Sequence, residues 1–319
     1  MFTDIKVGFT CNNKCVHCVI EPIKSSLICE DKCIDEDTNT IKKYIDEACL
    51  MGSKGIVLTG GEVTIRNDFK ELLMYGQQKG LKVTVQTNGR MLSDRRKTRF
   101  LHNCDPVQFV VAIHGPNNDL HNQITRRQNS FEQTIQAIQN LLELKNHKVV
   151  GKTVISRLNM GHLPETIEFC NKIGVKSMVI AFPHAEEFPV KVFNNVVPRY
   201  RELTPIINKI FGVALELEMK ITLETVPYCI YKESAAFWTC NQDIQYSMHR
   251  GEDKTFIRSP SNSEINHWDI TRPLIKRKGA KCGECLLDKV CEGPWHEYID
   301  AFGDEEFIPL TDPDIVNFF

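Results

Sequence analysis

The chain has no run of 18 or more apolar residues, so nothing in it reads as a membrane-spanning helix. Its start, "MFTDIKVGFT", lacks the basic-then-apolar order of a secretory signal, and a chain that stays in the cytoplasm is the expectation. Charge of one sign is also missing. With 39 Lys and Arg against 41 Asp and Glu, the formal net charge is −2, which argues against a broad electrostatic grip on nucleic acid or on an anionic membrane. No internal repeat or low-complexity tract is evident. What is left is ordinary globular usage, 42% hydrophobic and 25% charged over 319 residues, enough for one large domain of barrel size and a smaller one.

Cysteine, by contrast, is abundant, with 13 in the chain. In a reducing compartment they do not form a disulfide framework, and metal binding is the leading explanation for the clustered ones. Cys49, Cys104 and Cys170 are scattered through helical or strand-like patterns and are expected as small buried hydrophobes. Cys29 and Cys33, in "ICEDKC", have no two further ligands nearby and read as free thiols in a long loop.

From residue 4 to about 182, β-rich runs alternate with amphipathic segments. The runs are "DIKVGF", "GIVLT", "KVTVQT", "VQFVVAI", "VVGKTVI" and "KSMVIAF". The segments between them fall near 37–51, 67–79, 94–102, 130–145 and 163–173, and "SFEQTIQAIQNLLEL" shows the apolar i, i+3, i+4 spacing with Ser130 placed to cap it. This repetition predicts parallel strands joined by right-handed helical crossovers, in a doubly wound sheet or an incomplete barrel. Either places ligands at the carboxyl ends of the strands. A helix near 199–212 closes the first domain, 1–212. Composition then shifts, and 213–319 reads as a small loop-rich module with a metal expected to hold it together.

"CNNKCVHC" follows the first strand and sets Cys11, Cys15 and Cys18 at that mouth, with no fourth cysteine close by. Three thiolates hold an iron-sulfur cubane by three irons and leave the fourth free for a ligand. A zinc site completed by a distant His or Cys fits the spacing too. "TGGE" ends the second strand. Gly60 and Gly61 let backbone approach a ligand closely, and the Glu62 carboxylate is suited to accept hydrogen bonds from an ammonium.

With these residues in place, the sequence resembles the radical S-adenosylmethionine (SAM) superfamily. The likeness rests on Cys11, Cys15 and Cys18 in CxxxCxxC spacing together with Gly60, Gly61 and Glu62. His17 fills the position before the third cysteine, which in the family lies near the adenine. "QTNGR", with Thr87, Asn88 and Gly89, resembles the third-strand segment, although Thr87 and Asn88 also suit a cap and a turn. "AIHGPNNDLHNQITRRQNSFEQT" resembles the fourth strand and its following helix, with Arg126 at a basic position that meets the SAM carboxylate and Asn129 where a glycine is common. The resemblance implies an α/β partial (β/α)6 TIM-type barrel. It further implies a SAM-binding 4Fe-4S cluster and reductive cleavage of SAM to a 5′-deoxyadenosyl radical that takes hydrogen from a substrate.

A second cysteine group, Cys282, Cys285 and Cys291, is spaced CxxCx5C in "KCGECLLDKVCEGPWHEYIDAFG", and Cys229 or its rival Cys240 can complete a four-thiolate site. The segment resembles the C-terminal modules called SPASM and twitch. Trp295 stands where a further cysteine would be in the longer type, so a single auxiliary 4Fe-4S cluster of the twitch type is implied. Relatives with such tails imply a ribosomally made peptide as the leading substrate class, a small metabolite as the alternative, and flavodoxin or ferredoxin as electron donor. A zinc-stabilised binding protein is the reading from another class. The chain opens on its first strand, so a leader peptide is expected to be held by a separate protein or by barrel and tail. His184 and Glu186, just after the sixth strand, are expected as exposed loop residues, with a substrate-facing role the alternative. The basic run "RPLIKRKGAK" is expected as a solvated loop, with docking of an acidic peptide or of an electron-donor protein the alternative.

Overall fold

A computed structural model describes residues 2–232, 256–259, 262–267, 271 and 274–313, the two segments 256–259 and 262–267 by backbone only. The six expected strands form as β1 (Phe2–Lys6), β2 (Gly55–Thr59), β3 (Lys82–Thr87), β4 (Val107–Ala112), β5 (Lys148–Val154) and β6 (Ser177–Ala181), and a further strand, β7 (Lys220–Glu224), pairs with β6. The helices among the described residues are α1 (Ile20–Cys29), α2 (Thr38–Leu50), α3 (Phe69–Gln78), α4 (Arg95–Thr98), α5 (Asn118–Thr125), α6 (Ser130–Leu142), α7 (Leu163–Lys172), α8 (Val190–Val196), α9 (Tyr200–Glu216) and α10 (His296–Phe302). β7 lies in the stretch that composition assigned to the tail, so the parallel sheet runs past residue 212.

Sheet order decides between the two arrangements left open above. The strands follow β7-β6-β5-β4-β3-β2-β1 with every pair parallel and no reversal. A doubly wound sheet needs a switch point where the order turns back. Here each right-handed crossover steps the same way, which puts all crossover helices on one face and curls the sheet as an incomplete barrel. On the free edge of β1, β8 (Phe256–Ser259) adds in parallel and β9 (Asn262–His267) pairs antiparallel to β8.

Alternation along the strands builds the core. Ile5, Ile56, Leu58, Val83, Val85, Phe109 and Val111 point to the helices and are at most 2% exposed. Burying each such side chain stabilises the fold by roughly 1.5–3 kcal/mol. The intervening positions form the concave face and mix polar side chains, among them Asp4, Lys6, Thr84, Gln86 and Lys152, with valines such as Val57 and Val110. Asp4 on β1 lies in range of Lys6, of Lys152 on β5 and of Glu224 on β7, so strands well separated in order face each other across the hollow. Lys152 and Glu224 pair at 2.7 Å. Burial pushes the Asp4 carboxyl up to about 6.

Two expectations about cysteine change. Cys104 and Cys170 are buried, but Cys49 is exposed: α2 buries Ile41, Tyr44, Ile45 and Ala48, and the residue after Ala48 rotates off that face. Cys29 closes α1 rather than lying in a loop, and both it and Cys33 are exposed free thiols.

Candidate metal centre

The loop carrying Cys11, Cys15 and Cys18 leaves β1 at the strand-end mouth and is pinned from below. Lys14 and Val16 donate their backbone N–H to the carbonyls of Thr125 (3.0 Å) and Ile124 (2.9 Å), so the loop satisfies acceptors that the end of α5 leaves unpaired. Asn13 N–H points at Cys11 Sγ, 3.4 Å away. The segment just before the loop rests on Asp35, which accepts from Phe9 N–H (2.9 Å) and Thr10 N–H (3.0 Å).

Gly60 and Gly61 do what the sequence reading asked of glycine, but against the chain itself. A Cβ on Gly60, at φ +133°, would lie 2.3 Å from the Gly8 carbonyl oxygen, and one on Gly61 would lie 2.2 Å from that of Thr10. This contact clamps the end of β2 to the segment that leads into Cys11. The clamp is closed by Gly61 N–H to Gly8 (2.8 Å) and Glu62 N–H to Thr10 (2.9 Å).

Glu62 is 2% exposed and ties the ends of β2 and β3 together. Its Oε1 accepts from Thr64 N–H (3.0 Å), Thr64 Oγ1 (2.5 Å) and Thr87 Oγ1 (2.5 Å), and Oε2 accepts from Asn88 N–H (2.6 Å). Burial raises its pKa and these donors act against that rise. Accepting capacity remains on Oε2. Asn88 reaches on with Nδ2 to Asn12 Oδ1 (2.7 Å) and toward Cys11 Sγ (3.8 Å). Thr87 and Asn88 therefore bind the glutamate to the cysteine loop and are not isolated turn residues.

Arg90, Arg127 and Asn12 were not singled out from sequence. Arg90 donates to Asn12 O (2.6 Å), Asn13 Oδ1 (3.0 Å) and Gln133 Oε1 (2.6 Å), and Arg127 to Asn12 O (3.0 Å). The two guanidiniums hold the cysteine loop from the side of β3 and α5. Arg126 itself is exposed in a left-handed turn at φ +53°, and Asn129 also takes a left-handed φ of +58°, the conformation that makes glycine common there. His17 is buried with its ring edge-on to His114 at 4.5 Å, and His114 stacks on His121 at 5.8 Å. Burial lowers His17 and His121 to about 4, so this row is neutral near pH 7.

Burial raises all three loop thiols, and Cys15 goes up to about 12 with help from Cys18 and Cys11. Thiols gathered in a low-dielectric pocket resist ionisation one by one, and a bound cationic cluster is what stabilises them together as thiolates. The donor set fits a metal cluster held by three sulfurs.

A second set fits as well. Cys229, Cys282, Cys285 and Cys291 line one pocket with Leu287 and Phe307. Burial and the other three thiols push Cys229 up to about 12. Cys285 Sγ accepts from Leu310 N–H at 3.4 Å. Cys240 lies outside the described residues. The described part of the basic run before Cys282 is largely exposed, with Arg277 paired to Asp300 and Lys278 to Asp288 at 2.8 Å at the surface, but Lys276 is buried 3.6 Å over the Trp295 ring. His184 and Glu186 are half-buried rather than exposed.

Comparison with known proteins agrees with this geometry. The model of the radical SAM superfamily matches residues 5–170. The AdoMet-dependent heme synthase of Methanosarcina barkeri is 27% identical over 172 residues, 54% of this chain and 47% of that protein. Mycofactocin maturase MftC of Mycobacterium tuberculosis is 31% identical over 169 residues, 53% of this chain and 41% of that protein. Each match thus spans less than half the length of the relative. Among solved structures, Streptococcus suis SuiB bound to S-adenosylmethionine superposes with a TM-score of 0.66 at 15% identity, over 97% of this chain and 76% of SuiB. SuiB has also been solved with its precursor peptide SuiA. A thiol loop clamped at the mouth of an incomplete parallel barrel, with the family match running from β1 through α7, establishes that this chain belongs to the radical SAM superfamily.

Proposed function

We propose that this chain is a radical SAM enzyme acting on a ribosomally made peptide. In this reading Cys11, Cys15 and Cys18 hold a 4Fe-4S cluster, and Cys229, Cys282, Cys285 and Cys291 hold an auxiliary one in a twitch-type tail. A cluster held by the first set would, once reduced by a flavodoxin or ferredoxin, supply the one-electron chemistry that cleaves SAM and starts hydrogen abstraction from the substrate.

The chain's own residues position and shield. Glu62 keeps an acceptor, Oε2, beside the cysteine loop, where it can take a hydrogen bond from the SAM ammonium. Gly60 and Gly61 hold that glutamate against the loop. Arg90 and Arg127 fix Asn12, so the loop keeps one conformation as SAM enters and leaves. Neutral His17, apolar on its faces, suits the adenine. Arg126, exposed beside this site, is free to meet the SAM carboxylate.

The single observation that carries the proposal is the three-thiol loop pinned at the barrel mouth by Gly61, Asn88 and Arg90. Support for a peptide comes from the four-thiol pocket of the tail, together with the likeness to MftC and the shared fold with SuiB. The match to a heme synthase favours the second reading, a small-metabolite substrate. Anaerobically reduced protein, incubated with SAM and candidate peptides, should give 5′-deoxyadenosine and a peptide mass change. Formation of 5′-deoxyadenosine without a mass change would favour the metabolite. Colourless protein carrying zinc and no iron would leave only a zinc-stabilised binding protein.

A further inference from the structure

Above the concave face, where the tail meets the barrel, three potential ligands converge outside both thiol sets. His184 and Glu186 come from the loop that leaves β6 at its carboxyl end, and Glu297 comes from the first turn of α10. His184 Nε2 stands 3.5 Å from Glu186 Oε2 and 3.6 Å from Glu297 Oε1, and the three donor atoms all lie within 4.8 Å of one another. Neither distance is a hydrogen bond.

The same place holds a group of shielded polar atoms with no hydrogen-bond partner among the described residues: His184 Nε2, both carboxylate oxygens of Glu297, and Trp295 Nε1. Trp295 is 8% exposed and stacks on the His184 ring, centroids 3.9 Å apart and planes 17° apart. Lys276 sits 3.6 Å over the Trp295 ring, a cation–π contact that leaves the other face of the indole to His184. The ring of His184 is thereby fixed in direction while its outward nitrogen is unused. Shielded carboxylate oxygens without donors are costly, and a native protein supplies them a partner.

The spacing discriminates between partners. A metal ion bound at about 2.0–2.2 Å sets tetrahedral donors roughly 3.3–3.6 Å apart. An ammonium bonded to the same donors at about 2.8 Å would spread them to roughly 4.6 Å. The 3.5 and 3.6 Å from His184 to the two carboxylates match the metal, and the carboxylate oxygens lie within 4.8 Å of each other. One imidazole and two carboxylates are donors for a first-row divalent ion such as zinc or manganese. We therefore propose that His184, Glu186 and Glu297 form a mononuclear divalent-metal site, distinct from the thiol sets, with a fourth position open for water or a substrate oxygen. Its location follows from Glu186, whose charge reaches Lys6 inside the barrel. The ion would thus border the substrate hollow, held half by barrel and half by tail.

The test uses reconstituted protein with its iron and sulfide in place and reads metal binding directly. Manganese(II) is the probe, because as a hard ion it leaves thiolates alone, and its free six-line EPR signal reports the unbound fraction. Wild type should remove close to one manganese per chain from solution. Glu297→Gln and His184→Asn should each weaken binding at least tenfold while iron content and circular dichroism stay at wild-type values. Cys29→Ala/Cys33→Ala, which removes two exposed thiols outside both sets, should leave manganese binding unchanged. No manganese uptake by wild type would overturn the proposal, as would equal uptake by both variants. Uptake that disappears in Cys29→Ala/Cys33→Ala but persists in Glu297→Gln would overturn it too, by assigning the ion to exposed thiols. None of these readouts depends on SAM cleavage, so failure here is separable from failure of the proposed function.

Discussion

Replacing Gly61 by Ala should both destabilise the protein and loosen its first metal centre. The added methyl would fall 2.2 Å from the Thr10 carbonyl oxygen and 2.7 Å from the carbonyl carbon and oxygen of Phe9, all backbone atoms that no rotamer change can move aside. Ordinary contact needs about 3.5 Å, so the two segments must part by roughly 1 Å. That motion breaks Gly61 N–H to Gly8 and Glu62 N–H to Thr10. Two backbone hydrogen bonds at roughly 1 kcal/mol each, plus roughly 1–3 kcal/mol of overpacking, give about 3–5 kcal/mol. Against a total stability of roughly 5–15 kcal/mol this is a large fraction. Because Thr10 precedes Cys11, iron content should fall together with stability. Urea unfolding at matched iron content, with iron per chain measured in parallel, provides the assay. Gly80→Ala is the control: at φ +78° it has nothing within 4 Å, so it should cost only the left-handed strain of roughly 1–2 kcal/mol and leave iron unchanged. A Gly61→Ala protein with full iron and a stability loss under about 1 kcal/mol would refute the clamp.

Three further outcomes follow from the same geometry. Asp4→Asn should stabilise the fold by about 1–3 kcal/mol at pH 7, since about two pKa units correspond to roughly 3 kcal/mol before solvent screening. The sign follows from a folded pKa raised from 3.8 to about 6: the cost of ionising Asp4 grows between those values, is complete above pH 6, and is absent below 3.8. The gain should accordingly vanish in melts at pH 3.5, and an equal gain at both pH values would contradict the assignment to this carboxyl. Arg90→Lys should shed iron to a chelator several-fold faster than wild type, because one ammonium cannot bridge Asn12, Asn13 and Gln133 as the guanidinium does; unchanged release would show that the loop does not need the fork. Cys282→Ala/Cys285→Ala, which leaves too few thiolates in that pocket to hold a cubane, should lose roughly four irons per chain and keep the SAM-sensitive centre, whereas unchanged iron would show that the tail thiols hold no cluster.

The strands were readable because their apolar residues alternate with period two and face a helix-covered side, a local property of "GIVLT" or "KVTVQT". Strand order was not readable: nothing local distinguishes a sheet wound one way from one wound both ways, and only the pairing of β7 with β6 and β1 with β2 decides it. "KITLE" has strand character, yet its neighbours resemble a tail, and its place in the sheet depends on a partner more than 40 residues earlier. At the site, the cysteines and glycines stood out because their residue types are restrictive. Arg90 and Asn12 did not, since they act through backbone carbonyls and amides that meet only after folding. Glu62 was visible as a carboxylate, but two of its four donors come from Thr87 and Asn88, 25 and 26 residues on. Cys49 shows how narrow the margin is on a helix, where a step of one residue past Ala48 exchanges core for solvent.

The central claim is that Cys11, Cys15 and Cys18 hold a cluster with an iron open to SAM. EPR of the dithionite-reduced protein, recorded with and without SAM, tests it most directly. The account predicts a reduced-cluster signal that changes shape on adding SAM, and a Cys11→Ala/Cys15→Ala/Cys18→Ala protein that keeps only a SAM-insensitive signal from the four-thiol pocket. A triple variant that retains both full iron and the SAM-dependent change would contradict it.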